Sequence, residues 1–186
     1  MKKSILVLIA LLFAASVLTA AAEGALFTTQ YFTVEIPEGW ETDMNAQDDD
    51  PGDDTVPLGV FGDMSREIGL ISEANLAYYE DLKDFSLWNS DPDQLQAYAD
   101  AVMEDLKEDK PEYLGIVMAG NIPFVLLKAT DAEEEYEYLW AETITNGNSI
   151  QFCAYVNDID GEQTFPVTEE YTEQFKTILA TFKPAS

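Results

Sequence analysis

The residues that could carry chemistry in this chain are almost all acidic. The sequence contains no histidine and a single cysteine, Cys153. Without histidine the commonest general base is missing, and neither a Ser-His-Asp nor a Cys-His arrangement can form. Two carboxylates could still hydrolyse a glycosidic bond, but with 36 acidic residues no particular pair stands out. Composition therefore favours a protein without catalytic chemistry and leaves a carboxylate-dependent hydrolase as the enzymatic alternative.

The densest group of acidic side chains lies in a loop at residues 43–55. Its candidate metal ligands are Asp48, Asp49, Asp50, Asp53 and Asp54. Ca²⁺ prefers several hard oxygen ligands, which a flexible Asp-rich loop can supply. The spacing matches no EF-hand, and the same holds for a second acidic loop at residues 157–162. We interpret both as solvated loops that bind Ca²⁺ weakly at most; a calcium-responsive structural protein is the alternative. No other cofactor is indicated.

Large aromatic side chains alternate along residues 136–144, which places Tyr136, Tyr138 and Trp140 on one face of a strand. Such a row can bind a carbohydrate or a peptide where it is exposed, and it forms core where a helix covers it. We expect core, because the amphipathic helix that ends the sequence needs an apolar surface to cover.

Three further side chains have both a structural and a functional interpretation. Cys153 lies in an apolar strand and is expected to be a small buried hydrophobic residue rather than a nucleophile. The adjacent Tyr78 and Tyr79 are predicted to point to different faces of a helix. Only one of them can then face inward, which leaves Tyr78 as a candidate exposed contact.

The N-terminus has the pattern of a secretory signal peptide. Lys2 and Lys3 precede an apolar run at residues 5–17, and small residues at 20–22 mark a cleavage site. The run through Ala22 barely reaches the ~20 residues that span a bilayer, and no cysteine is placed for lipid attachment. We therefore expect cleavage near Ala22 and an exported protein, secreted or periplasmic, with no stable membrane anchor.

The chain is strongly acidic, with a formal net charge of −27. Loss of residues 1–22 removes two of the nine basic residues, so seven remain against 36 acidic ones and the net charge becomes −29. A field of this sign repels nucleic acid and anionic membranes. It favours a cation or a basic protein as partner, or it simply keeps an exported protein soluble. We expect a monomer whose protein or small-molecule partner is not identified by the sequence.

Three amphipathic helices are predicted. The first begins at Ser72, which can cap it, and its apolar residues recur at helical spacing. The second begins at Asp91, where Gln94 completes a capping box. The third ends near Phe182 and carries an apolar stripe wide enough to lie across a sheet. The first two would form a helical insertion at residues 73–108.

Strands are predicted between these helices from short apolar or alternating runs. They lie at residues 31–36, 57–62, 67–72, 112–118, 122–129, 136–144 and 149–156. Asn146 and Gly147 tolerate the positive φ of a type I′ turn and predict a hairpin between the last two. The expected fold is a single α+β domain, residues 23–186, in which helices cover an antiparallel sheet.

Several stretches of the sequence resemble a known family. The segment YFTVEIPEGW at residues 31–40 is similar to the first strand and Pro-x-Gly-Trp turn of the PsbP-like superfamily, which includes DcrB-type exported bacterial proteins. GNIPFVLLKA, the NGN hairpin and the closing EEYTEQFKTILATFK resemble the family's strands and terminal helix, with Thr181-Phe182 as its final pair. The resemblance covers most of residues 31–183. It implies an α-β-α sandwich with a non-enzymatic binding or accessory role, and it carries over no functional residue.

Overall fold

A computed structural model describes residues 24–44, 55–63 and 66–185. The strands of these ranges are β1 Ala25–Thr28, β2 Phe32–Ile36, β3 Glu41–Asp43, β4 Val56–Gly62, β5 Ile68–Tyr78, β6 Glu112–Ala119, β7 Ile122–Thr130, β8 Glu137–Thr145, β9 Asn148–Asp158, β10 Thr164–Phe165 and β11 Lys183–Pro184. The α-helices are α1 Pro92–Asp105 and α2 Glu169–Leu179. Short 3-10 helices lie at Glu80–Leu82, Leu87–Asn89 and Lys107–Asp109. Within these ranges, no helix has the length and apolar character that a membrane crossing requires.

The strands form two antiparallel sheets. The large sheet has the order β3-β4-β5-β9-β8-β7-β6, and β10 pairs with the end of β9. The small sheet has the order β1-β2-β11, so that the last strand of the chain, Lys183–Pro184, pairs with Phe32 and Thr33 near the start. Most neighbours in the large sheet follow each other in sequence. The central pair β5 and β9 is the exception, with eleven matched residues.

The main core lies between the two sheets. Phe32, Val34 and Ile36 alternate along β2 and are almost completely buried against the large sheet. The Phe32 ring packs on Phe152 of β9 at 5.3 Å and on Phe182 at 5.1 Å between ring centroids. Helix α2 adds its buried side chains to the same layer, as its apolar stripe predicts.

The predicted fold class is wrong in its main feature. The domain consists mostly of antiparallel strands in two sheets, and it is not an α-β-α sandwich in which helices cover one sheet. The small sheet occupies much of the face that a helix was expected to cover. Its strands β1 and β11 are only four and two residues long, so they carry little periodicity of their own.

The opposite face of the large sheet is covered only in part. Helix α1 packs on β6 and β7, where its buried Ala99 and Val102 meet Val125 and Leu127. The helix starts as predicted: the Asp91 side chain accepts a hydrogen bond from the Gln94 backbone, and the Gln94 side chain accepts one from the Asp91 backbone. Because α1 covers one side of this face, a cleft remains between the helix and the centre of the sheet.

The prediction of a helix that begins at Ser72 is wrong. Residues 68–78 form the long strand β5, and Ser72 lies fully buried in its middle. Leu70, Ala74 and Leu76 alternate toward the main core, so the period of two prevails over the helical spacing. Only a 3-10 turn follows, at Glu80–Leu82. Of the two α-helices predicted in residues 73–108, only the second is present, as α1.

Candidate functional site

The cleft on the second face of the large sheet has a volume of about 340 Å³. Its walls are the second half of α1 and the turn that follows β5, and its floor is formed by β8 and β9. The lining residues are Tyr79, Leu82, Tyr98, Ala101, Val102, Asp105, Leu106, Trp140, Glu142, Ile144 and Gln151. It combines apolar and aromatic walls with a few polar groups, which is the usual character of a small-molecule site.

Glu142 is the buried acid of this cleft, with 6% of its surface exposed. Its Oε1 accepts hydrogen bonds from the Tyr98 hydroxyl at 2.5 Å and the Ser149 hydroxyl at 2.6 Å. Its Oε2 accepts one from the Trp140 indole N–H at 3.0 Å. Three neutral donors therefore converge on one carboxylate, and no salt bridge of the described residues involves it.

The register of the sheet explains this convergence. Trp140 and Glu142 are two residues apart on β8 and share a face. Ser149 pairs with Ile144 across the hairpin, which makes it a diagonal neighbour of Glu142 on that face. Tyr98 reaches down from α1, and burial together with the nearby Glu142 charge raises its pKa well above the ordinary value of 10.0.

The turn between β8 and β9 holds the wall formed by residues 79–89. Asn146 and Gly147 have φ values of 51° and 75°, as a two-residue I′ turn requires. The Tyr79 amide donates to the Gly147 carbonyl at 2.9 Å, and the Gly147 amide donates to the Phe85 carbonyl at 3.2 Å. Ser86 accepts a further bond from the Asn146 amide at 2.9 Å. The hairpin prediction is confirmed, and its turn also positions Tyr79 at the cleft.

A cluster of tyrosines continues the same sheet face beyond Trp140. The Tyr136 ring lies 6.2 Å from Tyr138 and 6.0 Å from Tyr155, measured between ring centroids. The Tyr138 hydroxyl donates to Asp109 Oδ2 at 2.6 Å, and the Tyr155 hydroxyl donates to Glu73 Oε1 at 2.7 Å. The result is an aromatic surface in which carboxylates accept the hydrogen bonds.

Cys153 lies half-buried on this face, opposite Glu73 and Trp140 in the strand pairing. Burial raises the pKa of its thiol, and the negative charge of Glu73 raises it further. A reactive cysteine requires the opposite environment, with a stabilised thiolate. The raised pKa favours the protonated thiol at neutral pH, and Cys153 is less buried than the sequence predicted.

The aromatic row predicted as core under the terminal helix is only partly core. Tyr138 is buried, but Tyr136 and Trp140 are half-buried, and all three face away from α2. The terminal helix packs on the other side of the sheet, against the small sheet. Tyr78 is 52% exposed and its hydroxyl donates to Glu80.

The candidate metal ligands Asp48, Asp49, Asp50, Asp53 and Asp54 lie outside the described residues, as does the predicted signal peptide. Within residues 24–44, 55–63 and 66–185, no group of three or more acidic or cysteine side chains is arranged to hold a metal ion. In the second acidic loop, Asp158 Oδ1 accepts hydrogen bonds from the amides of Glu162 and Gln163. The Asp158 side chain therefore stabilises the loop in which it lies by binding the loop's own backbone.

Comparison with known proteins identifies no family. No family model matches the sequence, and no curated protein matches it. A crystal structure of a protein from Bacteroides thetaiotaomicron VPI-5482 is similar to this chain, with 16% sequence identity and a TM-score of 0.45. The alignment covers 88% of this chain and 49% of that protein, so the chain spans about half of its length.

Proposed function

We propose that the protein is an exported binding module that holds a ligand in the cleft beside α1. The observation that carries this proposal is Glu142, a buried carboxylate at the floor of a cleft whose lining is mainly apolar and aromatic. Burying a carboxylate costs several kcal/mol of desolvation, and an apolar side chain at this position would pack without that cost. A polar group in such a setting is what fixes the orientation of a ligand.

The hydrogen bonds made by Glu142 favour binding over catalysis in the cleft. Glu142 and Asp105 both line it, so a pair of carboxylates is present. Glycoside hydrolysis needs one carboxyl group to protonate the leaving oxygen and the other to attack the sugar or activate water. Glu142 instead accepts hydrogen bonds from Tyr98, Ser149 and Trp140. Three of its roughly four acceptor sites are therefore occupied by groups of the cleft itself, which favours a positioning role for this carboxylate.

Export is part of the proposal and rests on the N-terminal pattern of two lysines, an apolar run and small residues. The expected product is a chain that begins at Glu23 outside the cytoplasm. N-terminal sequencing of the protein recovered from the culture medium or the periplasm tests this. Recovery of the chain from the cytoplasm alone would contradict it.

A variant that fills the cleft tests ligand binding. Ala101 is an exposed residue of α1 that lines the cleft, so Ala101→Trp should occupy it. We expect members of a small-molecule fragment library to shift the NMR resonances of Trp140 and Tyr98 in the unmodified protein and not in this variant. Ala97→Trp is the matched control, because residue 97 is one turn earlier on the exposed side and outside the lining. Fragments that bind equally to both variants would overturn the assignment of the cleft.

A further inference from the structure

We propose that the ligand of the cleft is a protonated amine carried on an apolar body, an inference that rests on the binding function proposed above. Three features of the cleft support it independently: the sign of its charge, the unused acceptor capacity of Glu142, and the aromatic walls. Each narrows the chemistry that the cleft can stabilise.

The charged residues of the lining are both acidic. Glu142 lies at the floor and Asp105 on α1, and among the described residues that line the cleft none is a lysine or an arginine. Lys83 and Lys107 lie just outside and bind Glu80 and Glu104 at 3.5 and 2.8 Å. An anionic ligand would meet two carboxylates at short range, whereas a cation would offset them.

Glu142 retains room for one more donor. A carboxylate has about four lone-pair sites, two on each oxygen. Oε1 already accepts from Tyr98 and Ser149, whereas Oε2 accepts one hydrogen bond from the described residues, that of Trp140. The remaining site suits an N–H donor, and a bond from a charged donor is about twice as strong as a neutral one. A primary or secondary ammonium supplies that N–H, and a quaternary ammonium cannot.

The walls suit both parts of such a ligand. Trp140, Tyr79 and Tyr98 present aromatic rings, whose faces attract a cation within about 6 Å. Leu82, Val102 and Ile144 supply apolar surface for the body of the molecule. A volume of about 340 Å³ lies at the small end of the range of ligand pockets. The cleft therefore fits a compact amine such as an arylalkylamine.

Three probes of similar shape and different charge test this inference. Phenylethylammonium, phenylethyl alcohol and phenylacetate are titrated into the protein, with calorimetry and tryptophan fluorescence as readouts. We expect the ammonium to bind, the alcohol to bind about tenfold more weakly, and the carboxylate not to bind. Nα-acetyl-lysinamide is a fourth probe, because an ammonium can also come from a lysine of a partner protein. Tighter binding of Nα-acetyl-lysinamide than of phenylethylammonium would indicate a lysine of a partner protein as the ligand, and the reverse order would indicate a small amine.

Charge-neutralising variants show which carboxylates contribute to binding of the ammonium. Asp105→Asn keeps an exposed side chain of the same shape, and it should weaken phenylethylammonium while leaving phenylethyl alcohol unchanged. Glu142→Gln should weaken the ammonium more strongly, provided that circular dichroism shows an intact fold. Asp93→Asn makes the same charge change in the first turn of α1, outside the cleft, and should leave both affinities unchanged.

The outcomes separate this inference from the proposed function. Equal affinity for ammonium and alcohol, both lost in Ala101→Trp, would overturn the charge selectivity and retain the cleft as a ligand site. Tighter binding of phenylacetate than of phenylethylammonium would also overturn the charge selectivity and retain the cleft as a ligand site. If no probe binds and no fragment shifts the cleft resonances, both proposals fail.

Discussion

At the scale of single residues, the second face of the large sheet is unusual in its hydrogen bonding. Three tyrosine hydroxyls donate to carboxylates there: Tyr98 of α1 to Glu142, and Tyr138 and Tyr155 of the sheet to Asp109 and Glu73. Each of these carboxylates accepts a hydrogen bond from a neutral hydroxyl in place of an ion pair with a lysine or arginine. This arrangement keeps the face negatively charged, and it ties stability to the protonation of the phenols.

Alkaline pH should therefore destabilise the fold. Burial raises the pKa of Tyr136 to about 12, and it raises those of Tyr138, Tyr155 and Cys153 still further. The folded protein holds these protons more tightly than the unfolded chain, so their stabilisation is full below the ordinary values of 9.0 and 10.0. It is lost as the pH rises toward the folded values. Denaturant midpoints measured from pH 7 upward should be level and then fall above about pH 9.

Single substitutions show whether the tyrosine cluster causes this fall. Tyr155→Phe removes one raised pKa, so the alkaline slope of the unfolding free energy should become shallower. Tyr113→Phe, at a half-buried position on β6 outside the cluster, is the matched control and should leave the slope as it is. An unchanged slope in Tyr155→Phe would show that other groups control the alkaline transition.

At the scale of elements, the β8–β9 turn has two roles. It reverses the chain between two central strands, and its backbone bonds to residues 79 and 85 fix the wall of the cleft. Gly147 allows the second role because of its size. A Cβ built on it would lie 2.7 Å from Lys83 Cα and 3.0 Å from the Tyr79 carbonyl oxygen. The wall could not approach the turn so closely if residue 147 had a side chain.

Gly147→Ala should therefore cost more than backbone strain. Gly120 also has a positive φ, but a Cβ there meets nothing within 4 Å, which makes Gly120→Ala the matched control. We expect a loss of about 1 kcal/mol in the control, the cost of a left-handed alanine, and at least about 2 kcal/mol in Gly147→Ala. Chemical denaturation measures both.

The same pair of variants reports on the cleft. Gly147→Ala should also weaken probe binding, because residues 79–85 must move away from the turn, whereas Gly120→Ala should bind the probe normally. Equal losses of stability in the two variants would mean that the wall adapts without cost.

Elements with strong local patterns could be predicted from the sequence. The capping box at Asp91, the apolar stripe of α2 and the Asn146-Gly147 turn are each determined by neighbouring residues, and all three are present. The small sheet depends instead on β11, which pairs with β2 from the opposite end of the chain, and on β1, which is only four residues long. Short strands gain their stability from such pairing, which local propensity does not contain. That missing sheet is why the fold class was wrong.

The candidate site shows a similar limit. Both faces of β8 carry apolar side chains, with Leu139 and Ala141 on one and Tyr138 and Trp140 on the other. Alternation alone does not decide which helix covers which face. One signal was present: Glu142 is an acid on the aromatic face of β8, two residues from Trp140. It marks a polar group that must find partners once buried.

At the scale of the whole molecule, charge acts in opposite directions on folding and on the proposed ligand. The exported chain would carry a net charge of −29, so its carboxylates repel one another in the compact state. The same field attracts a cation to the cleft. Added salt weakens both effects, because the screening length falls from about 30 Å at 0.01 M to about 8 Å at 0.15 M.

Raising NaCl from 0.01 to 0.15 M at pH 7 should therefore stabilise the protein and weaken its binding of phenylethylammonium. Each kcal/mol of repulsion removed should raise the thermal midpoint by roughly 3 °C for a chain of this length. The control is the same titration at pH 4, near the isoelectric point of about 4.1, where little net charge remains to be screened and the midpoint should barely move. A midpoint that falls with salt at pH 7 would show that attractive ion pairs, such as Lys128 with Glu137 at 2.9 Å, outweigh the net repulsion. An affinity that does not change with salt would place the ligand outside the field of Glu142 and Asp105.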